Sequence, residues 1–140
     1  MHQCDLGVIG SGAGGQRAAI AAAKLGKSVI IIEKMDVVGG VAINTGTIPS
    51  KALREGVVAV TGASRIVETD IEAFSSRHAK LEALTSACQR VIRAEVELVK
   101  RQMTSNGIEI IHGVGSFIDA HTVKAETSRG VETINAEHVV

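Results

Sequence analysis

Three groups of residues in this chain have the types and spacing that chemistry requires. Gly10-Ser11-Gly12-Ala13-Gly14-Gly15 fits G-x-G-x-x-G. In such a turn Gly10 permits tight curvature, Gly12 lets a pyrophosphate approach the backbone, and Gly15 lets helix and strand pack closely. Glu33, with Lys34 beside it, stands at the distance expected of the acid that accepts hydrogen bonds from an adenosine ribose, and its charge disfavours a 2′-phosphate there. The third group is the stretch VVGGVAINTGTIPSKALRE from Val37 to Glu55, with a glycine pair at Gly39 and Gly40, a short polar loop, and a Ser-Lys at Lys51 that offers a cation. No nucleophile–base pair is evident, and no residue is assigned a catalytic role.

These groups need elements to position them. Cys4 to Ile9 reads as a short strand, Gln16 to Leu25 as a helix closed by Gly26, and Ser28 to Ile32 as a β-branched strand covered on both faces. A G-x-G-x-x-G alone is weak evidence, because glycine-rich turns are common. Strand, glycines, helix, strand and acid in register make a βαβ unit that binds an ADP-containing dinucleotide, with the helix N-terminus offering N–H groups to the phosphates. A plain NAD-binding domain would serve the same residues.

Further along, Pro49 suits the first turn of a second helix, with Leu53, Val57 and Val60 on one stripe. Thr69 to Glu72 has the S/T-x-x-E capping-box pattern. Apolar residues then recur at Phe74, Leu81, Leu84, Cys88, Val91 and Leu98 until Asn106-Gly107, which predicts a long helix with room for one break. From Gly107 the period changes to two, in GIEII, GSFI, TVKAE, VETI and HVV, which predicts a closing β meander. The fold class expected is α/β, a Rossmann-like dinucleotide-binding domain with a parallel sheet, a long helix pair and that meander. Val60 to Arg65 resembles the opening turn of short-chain dehydrogenases but follows a helical stripe, so it is read as a helix end.

Composition narrows the partners. The 140 residues are 45% hydrophobic, enough for one core, and Lys+Arg and Asp+Glu each total 15. Without a basic stripe, and with aromatic residues at 1%, nucleic acid is not an expected partner. No apolar run approaches the roughly 18 residues of a membrane span and no signal peptide is evident, so the expectation is a cytoplasmic chain without a membrane partner. Cys4 and Cys88 lack C-x-x-C spacing and read as buried thiols. The five histidines show no ligand spacing, so no metal is assigned.

Gly10 to Gly15, Glu33, Gly39-Gly40, Asn44, Gly46, Ile48-Pro-Ser-Lys51 and Gly113-Val-Gly115-Ser-Phe117 together resemble the N-terminal FAD-binding part of the pyridine nucleotide-disulfide oxidoreductases. The resemblance covers nearly the whole chain, residues 1–140, as the N-terminal part of an FAD/NAD(P)-binding domain. It implies FAD with its pyrophosphate over Gly10 to Gly15, its ribose on Glu33 and its isoalloxazine beside the Gly39 to Lys51 loop. Lys51 matches the family lysine near flavin N5, Gly115 a backbone contact to the adenine end, and Thr47 a residue of the flavin loop. The plainer readings are an exposed helix lysine for Lys51, a β-bulge glycine for Gly115 and a helix N-cap for Thr47.

In the disulfide-reducing members two cysteines occupy the positions held here by Ala42 and Thr47. Neither residue can be oxidised reversibly, so a dithiol relay is absent. The acceptor then has to reach the flavin itself, and a second nicotinamide in the same pocket implies NAD(P)+ transhydrogenation. Soluble transhydrogenases of the family resemble the chain in carrying Thr at the second position, whereas Ala42 departs from the cysteine usual at the first. Two alternatives follow: a non-catalytic FAD-binding module, and a dihydrolipoamide dehydrogenase-like flavoprotein using another electron acceptor. Family members are about three times this length and homodimeric, so the chain is expected to be a fragment, inactive alone, of a protein that takes NAD(P) as substrate.

Overall fold

The computed structural model describes residues 1–66 and 77–140, with side chains described for 1–59 and 81–140. The elements run β1 (His2–Ile9), α1 (Ala13–Lys24), β2 (Val29–Glu33), α2 (Gly40–Asn44), α3 (Thr47–Ile66), α4 (Arg77–Ser105), β3 (Glu109–His112), β4 (Val114–Phe117), β5 (Thr122–Thr127) and β6 (Gly130–Val139). Two compact units divide the chain, one comprising Met1–Gly40 with Val96–Val140 and the other Val41–Glu95.

In the first unit a six-stranded sheet has the order β3-β2-β1-β6-β5-β4. β2 lies parallel to β1 and β3, and β1 lies parallel to β6, while β4, β5 and β6 are antiparallel neighbours. This is the expected Rossmann-like α/β fold. All five residues of β2 are buried, as a strand covered on both faces requires. Ile30 and Ile32 share a core with Cys4, Ile111, Val123, Ala125, Ile134 and Ala136. The N–H groups of Asp5 and Leu6 both reach the Ser28 carbonyl at 3.1 Å, a local bulge that lets Cys4 and Ile9 face the same core despite their opposite parity. Burial pushes the Cys4 thiol above its ordinary pKa, which keeps it an unreactive core residue.

The sheet curls so that β4 lies over the ends of β1 and β2. A Cβ built at Gly115 would come within 3.2 Å of both Ile9 and Ile32 side chains, and one at Gly113 within 2.6 Å of the Glu126 carbonyl. The meander therefore holds for β4 to β6, but GIEII does not belong to it. That segment returns from α4 and pairs parallel with β2, Ile31 opposite Ile110. VETI and HVV are likewise one ten-residue strand, β6, held continuous through Ala136, whose N–H donates to the His121 carbonyl at 2.8 Å.

Helix boundaries also differ from expectation. α1 begins at Ala13, inside the glycine motif, rather than at Gln16. It ends in a Schellman motif, with Gly26 at φ 77° donating to Ala23 O at 2.9 Å and Lys27 N to Ala22 O at 3.1 Å. The loop after Gly39 contains the short helix α2, which too few residues specify for a periodic signal. In α4 the buried side chains of the first unit are Val96, Val99 and Met103, at i, i+3 and i+7, whereas Leu98 on the expected stripe is 42% exposed.

In the second unit α3 and α4 run antiparallel. Cys88 Sγ donates to Pro49 O at 3.4 Å, and a Cβ at Gly56 would meet Leu84 at 2.8 Å. Cys88 is half-buried rather than buried, and the expected α3 stripe is open, with Leu53 and Val57 exposed. Val60, Phe74 and the capping box at Thr69 to Glu72 lie outside the described side chains. Thr47 is the first residue of α3 and not its cap. Gly46 holds that position, because its carbonyl accepts the first helical bond from Ser50 N at 3.1 Å.

Candidate functional site: the glycine cradle

The carboxyl ends of β1 and β2 bring the first two groups of residues together. Gly10 leaves β1 at φ 101° and donates to the Ile32 carbonyl at 2.8 Å. α1 starts with Gly12 as its extended N-cap, and no side chain caps it, so the first N–H groups of the helix lack intrahelical partners. The glycines divide by cause. A Cβ at Gly15 would lie 2.1 Å from the Gly10 carbonyl oxygen, so only glycine lets α1 sit this close to the turn. At Gly12 and Gly14 an added Cβ would meet nothing within 4 Å. The chain's own packing does not require glycine there; what the missing side chains leave is open space at a helix N-terminus, the form an anion needs to approach the backbone.

Glu33 closes β2 and is 4% exposed; Ser11 is fully buried. One carboxylate oxygen, Oε2, accepts from Ser11 N at 2.8 Å and from the Ser11 hydroxyl; the other, Oε1, accepts from Met35 N at 2.9 Å. Burial, the largest single influence, pushes the Glu33 pKa up. Together the Ser11 hydroxyl, the Met35 and Ser11 N–H groups and the nearby His112 outweigh it and hold the carboxyl below its ordinary value. A carboxylate offers about four lone-pair sites. Three being occupied, Glu33 keeps capacity for one further hydroxyl donor.

The same network reaches the second glycine group. Gly39 N donates to Ser11 Oγ at 3.0 Å, and Gly39 and Gly40 adopt φ of 111° and 61°. A Cβ at Gly40 would fall 2.8 Å from Gly12 Cα, so the two glycine segments touch backbone to backbone. Two supporting residues escaped the sequence reading. Gln16 Nε2 donates to the Ser11 carbonyl at 2.7 Å, and its place one turn into α1 was the available signal. His112 Nδ1 lies 2.9 Å from Met35 O; a carbonyl only accepts, so Nδ1 carries the proton. His112 pairs with Glu33 across the parallel strands, a register that the sequence does not display.

Of the remaining predicted site residues, Lys34 and Ala13 are exposed beside the cradle, and Gly115 packs over Ile9 and Ile32. Close approach of β4 to the core thus accounts for Gly115. Thr47 and Lys51 lie exposed on α3, in the second unit, and Ala42 is half-buried in α2. The cradle fits an ADP-containing dinucleotide through open space at Gly12, unpartnered helix N–H groups and an acid with a lone pair left. Among the described residues no three His, Cys, Asp or Glu side chains are placed to hold a metal ion, and no helix is long and apolar enough to cross a membrane.

Comparison with known proteins agrees with this geometry. The chain is 42% identical over 147 aligned residues to the soluble pyridine nucleotide transhydrogenase of Mycobacterium bovis, covering all of this chain and 30% of that one. It is 40% identical over 142 residues to the Vibrio cholerae protein of the same name, covering 97% of this chain and 29% of the other. The chain thus spans about 30% of the length of these relatives. In fold it is similar to the copper(II) complex of the HOCl-induced flavoprotein disulfide reductase of Escherichia coli, with a TM-score of 0.71 at 22% identity over 99% of this chain and 28% of that one. Residues 4–140 match the model of the pyridine nucleotide-disulphide oxidoreductases, and the chain belongs to that family.

Proposed function

We propose that this chain is the FAD-binding N-terminal portion of a flavoprotein NAD(P)+ transhydrogenase, which passes a hydride from NADPH to NAD+. The observation that carries the reading is the pairing of an intact dinucleotide cradle with a flavin loop that has no sulfur. The backbone of residues 10–15 binds the pyrophosphate, the N–H groups at the start of α1 facing the negative charge. Glu33 accepts one adenosine ribose hydroxyl through its remaining lone pair. Lys51 matches the family's cation, whose charge favours negative charge on the ring. Bound FAD supplies a ring that takes up a hydride and returns it.

Ala42 and Thr47 exclude the disulfide route, since neither side chain can form, break or exchange a disulfide. Cys4 does not replace them, being buried in the sheet core. The acceptor then has to reach the flavin itself, and in this reading both substrates are nicotinamides that use the flavin in turn. The relatives named soluble pyridine nucleotide transhydrogenase support this choice among the activities of the family. Ala42 favours one second reading, a flavoprotein that delivers electrons to a quinone or oxygen. The test is reduction of a thio- or acetyl-substituted NAD+ by NADPH with the full-length flavoprotein. Rapid transfer is expected; lipoamide reduction at a comparable rate would overturn the loop argument, and quinone reduction without transfer would favour the second reading.

A further inference from the structure

Ser11 occupies a variable position of the glycine motif, yet every polar group it owns is engaged. Its N–H and hydroxyl both donate to Glu33 Oε2. Its hydroxyl oxygen accepts from Gly39 N at 3.0 Å, and its carbonyl accepts from Gln16 Nε2 at 2.7 Å. The side chain is fully buried and sits where the phosphate turn, the acid at the end of β2 and the second glycine pair meet.

We propose that Ser11 is a positioning residue for the dinucleotide, its hydroxyl locking Glu33 to Gly39 so that residues 10–15 and 39–40 form one preorganised binding surface before the ligand arrives. The inference rests on the FAD reading above and adds to it a role that a variable motif position does not announce. Three features of the cradle require such a lock. Gly39 and Gly40 hold left-handed backbone, so without a restraint they have more conformations to lose on binding than other residues. Gly40 presses on Gly12, so any drift of residues 39–40 releases the turn that faces the phosphates. Glu33 is nearly filled by protein donors, so the direction of its last lone pair is set by where Ser11 and Met35 hold the other three.

Removing the Ser11 hydroxyl leaves Gly39 N–H buried without an acceptor and leaves Oε2 held by the Ser11 N–H alone. Order then has to be supplied at the moment of binding, which weakens affinity. Ser11→Ala removes one oxygen and adds no bulk, so the fold tolerates it sterically. Glu33→Gln keeps the shape of the partner and tests the same lock from its other end.

The experiment uses the full-length protein in parent, Ser11→Ala and Glu33→Gln forms. FAD affinity is measured by flavin fluorescence after reversible removal, and hydrogen exchange by mass spectrometry over the peptide 35–44 in the flavin-free protein. Ser11→Ala should raise exchange at 35–44 before flavin is added and weaken FAD binding by about tenfold or more, with Glu33→Gln shifting both measures in the same direction. Affinity within about twofold of the parent would overturn the proposal whatever the exchange shows. Weakened affinity with unchanged exchange would also overturn it, because the hydroxyl would then touch the ligand rather than position the chain. A parent that takes up no FAD would defeat the reading in the preceding subsection; exchange at 35–44 would then decide the lock alone, unchanged exchange in Ser11→Ala overturning it.

Discussion

The two ends of the β1–β2 pair carry the same device in two settings. At the carboxyl end, one oxygen of Glu33 accepts the N–H and hydroxyl of Ser11. At the amino end, one oxygen of Asp5 accepts the N–H of Ser28 at 2.8 Å and its hydroxyl at 2.6 Å, while Lys27 Nζ approaches the other oxygen at 3.1 Å. Burial separates them: Glu33 is 4% exposed, whereas the Asp5 side chain is 33% exposed and Lys27 52%. A carboxylate in water loses little when its partners leave, because water replaces them. A buried one and its donors have no such substitute, so their geometry is enforced. The buried copy lies in the glycine cradle and the exposed copy at the amino end of the β1–β2 pairing, so one chemical motif fixes geometry at one end and only ties strands at the other.

The largest expected effect breaks this comparison directly. Glu33→Ala leaves Ser11 N and Met35 N without their acceptor inside the protein and opens a small cavity, destabilising the fold by about 3 kcal/mol. Asp5→Ala exposes Ser28 N–H to water, and its effect should be far smaller. Chemical denaturation of the full-length parent and both variants measures the difference. Glu33→Ala should in addition lose flavin, with affinity lower by roughly tenfold or more. Equal destabilisation by the two alanines would mean that burial does not separate the two ends.

Much of the cradle was legible in the sequence, because its constraints are local. Gly10 and Gly15 do what their spacing announces, Gly10 turning the chain at φ 101° and Gly15 letting α1 sit against the turn, and Glu33 closes a strand whose VIIIE run declares its burial. Two kinds of information were not legible. Strand register is one: GIEII looks like part of the meander by period alone, and only the return of α4 to the far side of β2 makes it parallel and sets His112 opposite Glu33. The near-saturation of Glu33 is the other. Ser11 and Met35 occupy three of its lone-pair sites only because the β1 turn and the β2 exit converge, and nothing in an S at a variable position or an M after a lysine announces that. The helical stripes misled for a third reason. Leu53, Val57 and Leu98 repeat at helical spacing but stay exposed, since periodicity marks a face without saying what covers it.

The next effect sharpens the same region by separating fold from ligand. Gly15→Ala forces a methyl against the Gly10 carbonyl at 2.1 Å, backbone against backbone, so α1 has to shift. A loss of about 2 kcal/mol in stability is expected, with flavin binding impaired as a consequence. Gly12→Ala places its methyl in open space and its backbone is extended, so stability should stay within about 0.5 kcal/mol of the parent while flavin content falls. Thermal unfolding and flavin content per chain, measured together in the full-length protein, test the pair. Flavin retained at parental affinity in Gly12→Ala would show that the open space at the start of α1 is not where the pyrophosphate lies.

The smallest effect belongs to the exposed end and is best seen through pH. The Ser28 hydroxyl, then its N–H and then Lys27 hold the Asp5 carboxyl down at about 2; Glu33 is also held below its ordinary value. A carboxyl with a folded pKa below its unfolded value contributes stability that is complete above the unfolded value, about pH 4, and is lost as pH falls through the folded one. Both ends should therefore weaken the fold in acid, and neither should respond between pH 6 and 8. Lys27→Met removes the outermost of the three partners of Asp5 and leaves both Ser28 donors in place. Its carboxylate stays charged and hydrated, and the ion pair is screened by solvent and salt. At neutral pH the unfolding midpoint should move by no more than about 2 °C, and the acid limb of the stability curve should shift only slightly upward. Ser28→Ala, which takes away the first of the partners, should shift that limb further. If Lys27→Met moved the acid limb more than Ser28→Ala, the ion pair rather than the serine would govern Asp5, and the likeness between the two ends of β1 and β2 would fail.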